Sequence, residues 1–237
     1  MCEKLVGGQK QRYIDRLFAG IAPKYDLLNS VISLGRHKAW RRAAVRMSGL
    51  AAGSRAVDVA TGTGDFALEL ARAVGSTGRV VGVDFCGPML DLAARKLARR
   101  QIISLVRANA EHLPFAADAF DCAAIGFALR NVSSVPATIA EMSRVVKPGG
   151  RVISLEIVGP GSRLLVPVWR LYLFGLVPRL AQAFRARREP YDYLRHSVQG
   201  FCSREELAGI FRECGLVDIR IRDLTFGVVC IHMGTKR

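Results

Sequence analysis

Metal-type cysteine pairs are absent from this 237-residue chain. Its six cysteines, Cys2, Cys86, Cys122, Cys202, Cys214 and Cys230, show no C-x-x-C spacing. That argues against a zinc module. With no secretory signal at the N-terminus, they are expected to be reduced thiols in a cytoplasmic protein. Long uncharged runs are also missing. The best candidate for a membrane span, residues 164–184, is interrupted by Pro167, Arg170, Pro178 and Arg179, and a spanning helix needs about 20 apolar residues. No internal repeat, low-complexity tract or flexible linker divides the chain. Acids are scarce, with 20 Asp+Glu against 35 Lys+Arg and a net charge of +15. Such an excess favours an anionic surface, either nucleic acid or acidic lipid, although a merely solvated basic surface fits charge alone as well.

What is present is an alternation of short apolar runs with helical stretches. Strands are expected at 55–60, 79–84, 103–108, 120–127 and 150–158, and two more near 216–223 and 227–234. Helices are expected at 36–47, 65–74, 88–100, 134–146 and 203–214, with Pro88 at a helix start, Ser134 as a cap and Ser203 with Glu206 spaced as a capping box. The alternation predicts an α/β fold with a mostly parallel sheet and helices on both faces. It predicts one domain, 1–237. Residues 1–50 form a helical lid and 51–158 a cofactor-binding core. Residues 159–202 form an apolar, arginine-rich insertion, and 203–237 complete the sheet.

The segment 58–64 reads DVATGTG and follows the first strand; 82–84 reads GVD and ends the second. A strand, a glycine-bearing turn, a helix and a second strand tipped by an acid make a nucleoside-binding unit. Gly62 and Gly64 let the backbone turn and approach a ligand, and Asp84 can grip a ribose. The glycines also fit the dinucleotide pattern of a dehydrogenase. Three neighbours favour S-adenosylmethionine instead. Asp58 precedes the loop, where it can organise the loop and a cationic amino-acid end but would repel a pyrophosphate. Asn109 and Ala110 follow the third strand, near where an adenine edge would lie. RVVKPGG at 144–150 resembles the turn into the fifth strand of Class I methyltransferases. Each of these also has a plain structural role: Asp58 as a helix-terminus partner, Asp84 as an N-cap, the Pro-Gly-Gly as an ordinary turn.

Two longer segments narrow the resemblance. Residues 24–40 carry Tyr25, Asp26, Asn29, Ser33, His37 and Trp40, and 144–156 reads RVVKPGGRVISLE. Together with FALRN at 127–131, Tyr191, Tyr193 and Ser197, and GVVCIH at 227–232, they resemble the menaquinone/ubiquinone biosynthesis C-methyltransferases over nearly the whole chain. The resemblance implies a Class I methyltransferase, Rossmann-like with a seven-stranded sheet, an N-terminal helical lid and a late helical insertion. It implies methylation by S-adenosylmethionine, without a metal, of a ring carbon in a polyprenylated demethylmenaquinol. A methoxy-benzoquinol of ubiquinone biosynthesis, or another lipid or small molecule, is the alternative. Methyl-donor contacts carry over to Thr63, Asp84, Asn109 and Ala110. Arg130 is the leading substrate-site residue, able to stabilise a phenolate or hold a water, with a salt bridge as its plain alternative. Tyr25 and His37 are expected over the quinol ring, or else as packing residues of the lid.

Three positions depart from the family pattern: Thr61 replaces a loop glycine, Gly126 a serine, and Ala128 a glycine. The insertion offers Leu164, Leu165, Trp169, Leu171, Leu173, Phe174 and Leu176 amid Arg163, Arg170, Arg179, Arg185, Arg187 and Arg188. That combination suits the isoprenoid tail and acidic lipids, placing the protein peripherally on the inner face of the cell membrane. A core or homodimer role is the alternative. RNA is not expected as a partner, because no Asn/Asp-Pro-Pro-Tyr motif and no added RNA-binding domain accompany the charge.

Overall fold

The structure, a computed structural model, describes residues 8–177, 179 and 189–237. Cys2, Arg185, Arg187 and Arg188 lie outside the described residues, as do the side chains of Leu173, Phe174 and Tyr191.

The chain opens with helices α1 (Gly8–Ile21), α2 (Tyr25–Ile32) and α3 (Arg36–Ser48). Then β1 (Arg55–Val59), α4 (Asp65–Val74), β2 (Arg79–Asp84), α5 (Gly87–Leu97), β3 (Ile103–Arg107), β4 (Phe120–Gly126), α6 (Val135–Val145) and β5 (Val146–Ile157) alternate. A short helical stretch follows, α7 (Val166–Leu171) running into a widened turn at Tyr172–Leu176, and then α8 (Glu189–Gln199) and α9 (Arg204–Glu213). Strands β6 (Leu216–Leu224) and β7 (Val229–Lys236) end the chain.

The seven strands lie in the order β3-β2-β1-β4-β5-β7-β6. The first five run parallel, and β7 is antiparallel to both β5 and β6. The order reverses between β1 and β4, which opens a crevice at their carboxyl ends. Central strands are apolar on both faces because helices cover both. Ala56, Ile153 and Ile231 pack with Phe66, Leu70 and Ala44 of α3 and α4. On the other face Val57, Ile125 and Val152 pack with Ile139, Met142, Leu207 and Phe211 of α6 and α9. Each such Leu, Ile or Phe contributes roughly 1.5–3 kcal/mol by leaving water.

Ser134 accepts from the Ala137 amide, and Ser203 and Glu206 form the expected capping box. The largest boundary difference is at β5, expected from residue 150 but starting at Val146. Phe120 pairs with Val146 and Cys122 with Arg151, so the KPGG segment is carried as an irregularity within the ladder. Gly150 fits there because an added Cβ would lie 2.5 Å from Val146 Cγ1 and 2.8 Å from the Asp121 carbonyl oxygen. Strand β7 starts two residues late because Thr225, Phe226 and Gly227 take positive φ in the turn before it.

Candidate functional site

The loop after β1 is shaped from beneath. Asp58 is buried; its Oδ2 accepts from Thr61 Oγ1 at 2.5 Å and from the Ala67 amide at 2.8 Å. It thereby ties the loop to the first turn of α4. Burial pushes its carboxyl up to about 7, against these hydrogen bonds. Thr61, where the resemblance leads to an expected glycine, thus has a defined task. The Asp58 side chain lies under the loop and is not part of the wall of the cavity above it, and its Oδ1 is buried with no hydrogen-bond partner among the described residues.

Thr63 lies in the same loop, turned toward the first helices. It is buried, its Oγ1 donates to Asp26 Oδ1 of α2 at 2.6 Å and accepts from Lys96 Nζ at 3.1 Å, and it stays out of the cavity wall. Gly64 has φ +85, and an added Cβ would meet Leu97 Cδ1 at 2.6 Å. It serves packing and the start of α4.

The cavity sits at the crevice between β1 and β4. Gly62, Asp84, Phe85, Asn109, Ala110 and Gly126 line it from the sheet side, and Asp15, Phe18 and Tyr25 from α1 and α2. Asp84 Oδ2 accepts from the Gly62 amide at 2.7 Å, and Oδ1 from the Cys86 amide at 2.8 Å. A carboxylate accepts about four hydrogen bonds, so acceptor capacity remains for two ligand hydroxyls. Burial pushes the Asp84 carboxyl up, and the two amides oppose it. Asn109 Oδ1 accepts from the Glu111 amide, which leaves its NH2 as a donor. Asp15 Oδ1 is buried with no hydrogen-bond partner among the described residues. Unused acceptors, one amide and the apolar walls of Phe85 and Met89 fit an adenosyl group. Asp15 was missed from the sequence because an acid on an amphipathic helix gives no local signal.

A second cavity adjoins the first. Phe18, Tyr25 and Phe127 line both. The rest of its wall is mostly apolar: Leu17, Leu28, Ile32, Trp40 and Ile157, with Trp169 and Tyr172 of the α7 segment. Arg41, His37 and Arg130 also line it.

Arg130 Nη1 donates to Glu156 Oε2 at 3.0 Å, and Glu156 Oε1 accepts from the amides of Ala128 and Leu129 at 2.7 Å. Glu156 is fully buried; burial pushes its carboxyl up while Arg130 and the two amides oppose that. Arg130 therefore has its salt bridge and a place in the cavity wall together. Asn131 Oδ1 accepts from the Tyr193 hydroxyl, which fastens α8 to this turn.

His37 is 3% exposed. Its Nδ1 meets Arg41 Nη1 at 2.6 Å and its Nε2 meets Ser30 Oγ at 3.1 Å. Burial, then Arg41, lower its pKa to about 4, so the ring is neutral at pH 7. Arg41 can only donate, so Nδ1 accepts and Nε2–H donates to Ser30. Both nitrogens are engaged, and His37 has no lone pair left for a substrate proton. It positions Arg41. Asp65 lies 3.7 Å from both His37 and Arg41. Burial works against its charge, but Arg41 and Lys96 outweigh that and hold its carboxyl below the usual range. Arg41 also stacks 5.5 Å from the Phe127 ring centre. Arg41 was missed, although its place one turn after His37 on the same helix face could have revealed it.

Gly126 stands where the resemblance leads to an expected serine. An added Cβ would meet Phe66 Cδ1 at 2.9 Å, so the bulk of Phe66 accounts for the glycine. Among the described residues, no group of three or more His, Cys, Asp or Glu side chains is arranged to hold a metal.

Residues 6–236 match the model of the ubiE/COQ5 methyltransferase family. The chain belongs to that family. It is 39% identical over 223 residues to a demethylmenaquinone methyltransferase of Staphylococcus aureus (strain JH9), covering 94% of this chain and 92% of that protein. The fold is shared with a SAM-dependent methyltransferase from Aquifex aeolicus, with TM-score 0.66 and 15% identity over 90% of this chain and 98% of that one. It is also shared with phosphoethanolamine N-methyltransferase 2 of Haemonchus contortus, solved with S-adenosyl-L-methionine, with TM-score 0.62 and 15% identity over 83% of this chain and 52% of that one. This chain is thus an S-adenosylmethionine-dependent methyltransferase with a Class I, Rossmann-like fold.

Proposed function

We propose that this methyltransferase places a methyl group on a ring carbon of a polyprenylated demethylmenaquinol, giving menaquinol. The observation that carries this reading is the junction of the two cavities at Phe18, Tyr25 and Phe127. A cavity suited to adenosine abuts one that is apolar except for His37, two guanidiniums and a few neutral polar groups. The 39% identity to a demethylmenaquinone methyltransferase supports the naphthoquinol ring over a benzoquinol.

In this reading Asp84 holds the ribose hydroxyls, with Asp15, Asn109 and Ala110 beside the adenosyl group and Gly62 giving backbone access. When bound, S-adenosylmethionine supplies a methyl already made electrophilic by its sulfonium. The protein's own task is to align the ring and manage two proton movements. The hydroxyl proton leaves before transfer. Once the carbon–methyl bond has formed and the sulfur–methyl bond has broken, the proton on that ring carbon leaves and the oxygen regains one, restoring the aromatic quinol. Phe18, Tyr25 and Phe127 fix the ring at the junction, and such alignment is worth roughly 7 kcal/mol or more in favourable cases. A ring carbon gains nucleophilicity as the neighbouring hydroxyl ionises. A guanidinium is no base at neutral pH. Arg130 and Arg41 instead stabilise the phenolate oxygen, or hold the water that takes its proton.

The prenyl tail runs toward Trp169 and Tyr172, and the outer side of the same segment meets the membrane. Leu164 is 87% exposed, Val168 and Leu171 are also exposed, and Arg163, Arg170 and Arg179 lie among them in solvent. No helix among the described residues is long and apolar enough to cross a membrane. The exposed apolar and arginine side chains of this segment support peripheral binding to acidic lipids at the inner face of the cell membrane, within a single domain whose first 50 residues form the lid. Co-sedimentation with anionic but not neutral vesicles supports it; a concentration-dependent dimer blind to vesicles assigns the stripe to a second copy.

The substrate reading is tested with labelled S-adenosylmethionine, offered reduced demethylmenaquinone, a demethylated benzoquinol and RNA in parallel. Label on the naphthoquinol, at a kcat/KM at least tenfold above the benzoquinol, is expected. Label on RNA, or on neither quinol, overturns the reading.

A further inference from the structure

Asp26 of α2 is held from two sides. Its Oδ1 accepts from Thr63 Oγ1 in the cofactor loop at 2.6 Å, and its Oδ2 is paired with Lys96 of α5. Lys96 Nζ also reaches Asp65 Oδ1 at 2.9 Å and Thr63 Oγ1 at 3.1 Å. One lysine therefore joins the lid, the loop and the start of α4. The same lid roofs one cavity and walls the other. Asp15, Phe18 and Tyr25 close the cofactor cavity, while Leu17, Phe18, Tyr25 and Leu28 build the apolar one.

We propose that the Asp26–Thr63–Lys96 cluster is a clasp that fastens the lid over a filled cofactor cavity, and that the apolar cavity is complete only while the clasp is closed. Binding is then ordered, with the cofactor first and the quinol second, and release runs in reverse. The order rests on the quinol reading of the apolar cavity; the clasp does not.

Three features argue for a clasp that opens rather than a permanent strut. The Asp26 and Lys96 side chains are 44% and 28% exposed, and ion pairs in such surroundings are weak. Asp15 Oδ1, on the lid, is buried in the cofactor cavity without a partner among the described residues, so a ligand donor there would favour the closed lid. Asp65, which shares Lys96 with Asp26, also faces His37 and Arg41 at 3.7 Å, and both line the apolar cavity. A bulky adenosyl group must pass the lid. A quinol ring packed against Phe18 and Tyr25 blocks that movement. Asp26 and Lys96 are thus positioning residues.

The test uses the full chain with S-adenosylhomocysteine and a reduced, short-tailed menaquinone, which has no methyl left to accept. In the wild-type protein, the quinol binds at least tenfold tighter with S-adenosylhomocysteine present, and its presence slows S-adenosylhomocysteine release at least tenfold. Without quinol, Asp26→Asn and Lys96→Gln each speed that release at least fivefold. The double variant does no more than either alone, Lys96→Arg restores slow release, and the quinol KM rises more than kcat falls. Unchanged release in both single variants, with melting temperatures near wild type, overturns the clasp. Equal quinol binding with and without S-adenosylhomocysteine overturns the order, and it needs no variant that could misfold. A quinol that binds under neither condition overturns the substrate reading and the order together, while faster release in the variants would still uphold the clasp.

Discussion

The cofactor cavity takes its sheet-side wall from Ala60 and Gly62, from Asp84, Phe85 and Cys86, and from residues 108–111 and 126–128, each next to a strand end. The apolar cavity takes its wall from residues as distant as Leu17, Arg130, Trp169 and Val229. At the sheet side of the first, hydrogen bonds between strand-end loops, such as Gly62 to Asp84 and Cys86 to Asp84, hold the wall. The second depends on elements with no common strand, drawn together by α1, α2, α3 and the α7 segment. One consequence is partial modularity: away from the shared Phe18, Tyr25 and Phe127, damage to the second cavity should spare the first. Another is that substrate choice can change through the lid and insertion while the cofactor end stays the same.

The hardest break should come at Arg130. Arg130→Ala should lower kcat about 10²–10³-fold, the loss typical of removing a donor to a developing oxyanion. Its S-adenosylhomocysteine affinity should stay within twofold, measured by calorimetry. A parallel fall in cofactor affinity would show that the two cavities are not separable.

His37 gives the apolar cavity a pH dependence that the cofactor cavity lacks at that residue. Its folded pKa is about 4 against 6.5 in an unfolded chain. The unfolded state therefore binds the extra proton first as pH falls. The stabilisation is full above pH 6.5 and is lost between 6.5 and 4, amounting to about 3 kcal/mol. Wild type minus His37→Gln, followed by denaturant unfolding across that window, should show this slope. A flat difference would mean that His37 is not held neutral.

Asp84→Ala tests the other half. It removes the acceptor for two backbone amides and the expected ribose contact. Cofactor affinity should fall about tenfold to hundredfold, on the scale of one charged hydrogen bond. Quinol binding to the cofactor-loaded variant should persist. The smallest effect is at Gly126. Gly126→Ser installs the expected serine but must displace Phe66, at about 1–3 kcal/mol of stability by thermal unfolding. Gly126→Ser with Phe66→Leu should recover most of that loss.

This contrast also explains what could be read from the chain. Helix α4 and strand β2 fall at their expected residues because each has a local signal: glycine before α4, and a run of Val tipped by Asp84 for β2. Gly62, Asp84, Asn109 and Ala110 line the cavity for the same reason, since a parallel strand must end at the crevice. Asp58 and Thr63 sit beside them in sequence, yet their side chains serve the loop and the lid. Spacing places a residue at a strand tip but does not say which way it faces once a helix lies across it. Arg130 and His37 were visible only through a family pattern, and their partners Glu156 and Arg41 were not singled out. Those pairings join β5 to the turn after β4 and one helical turn to the next inside a buried cavity, and neither composition nor periodicity encodes that.

The most direct test is where the methyl group lands. Reduced demethylmenaquinone in anionic vesicles would be turned over with ¹³C-methyl S-adenosylmethionine and the product read by NMR. A single labelled methyl on the ring carbon of the naphthoquinol, formed about 10²–10³-fold more slowly with Arg130→Ala, is the predicted result. Label on a quinol oxygen, or none on the quinol from a protein that still binds S-adenosylhomocysteine, would contradict the account.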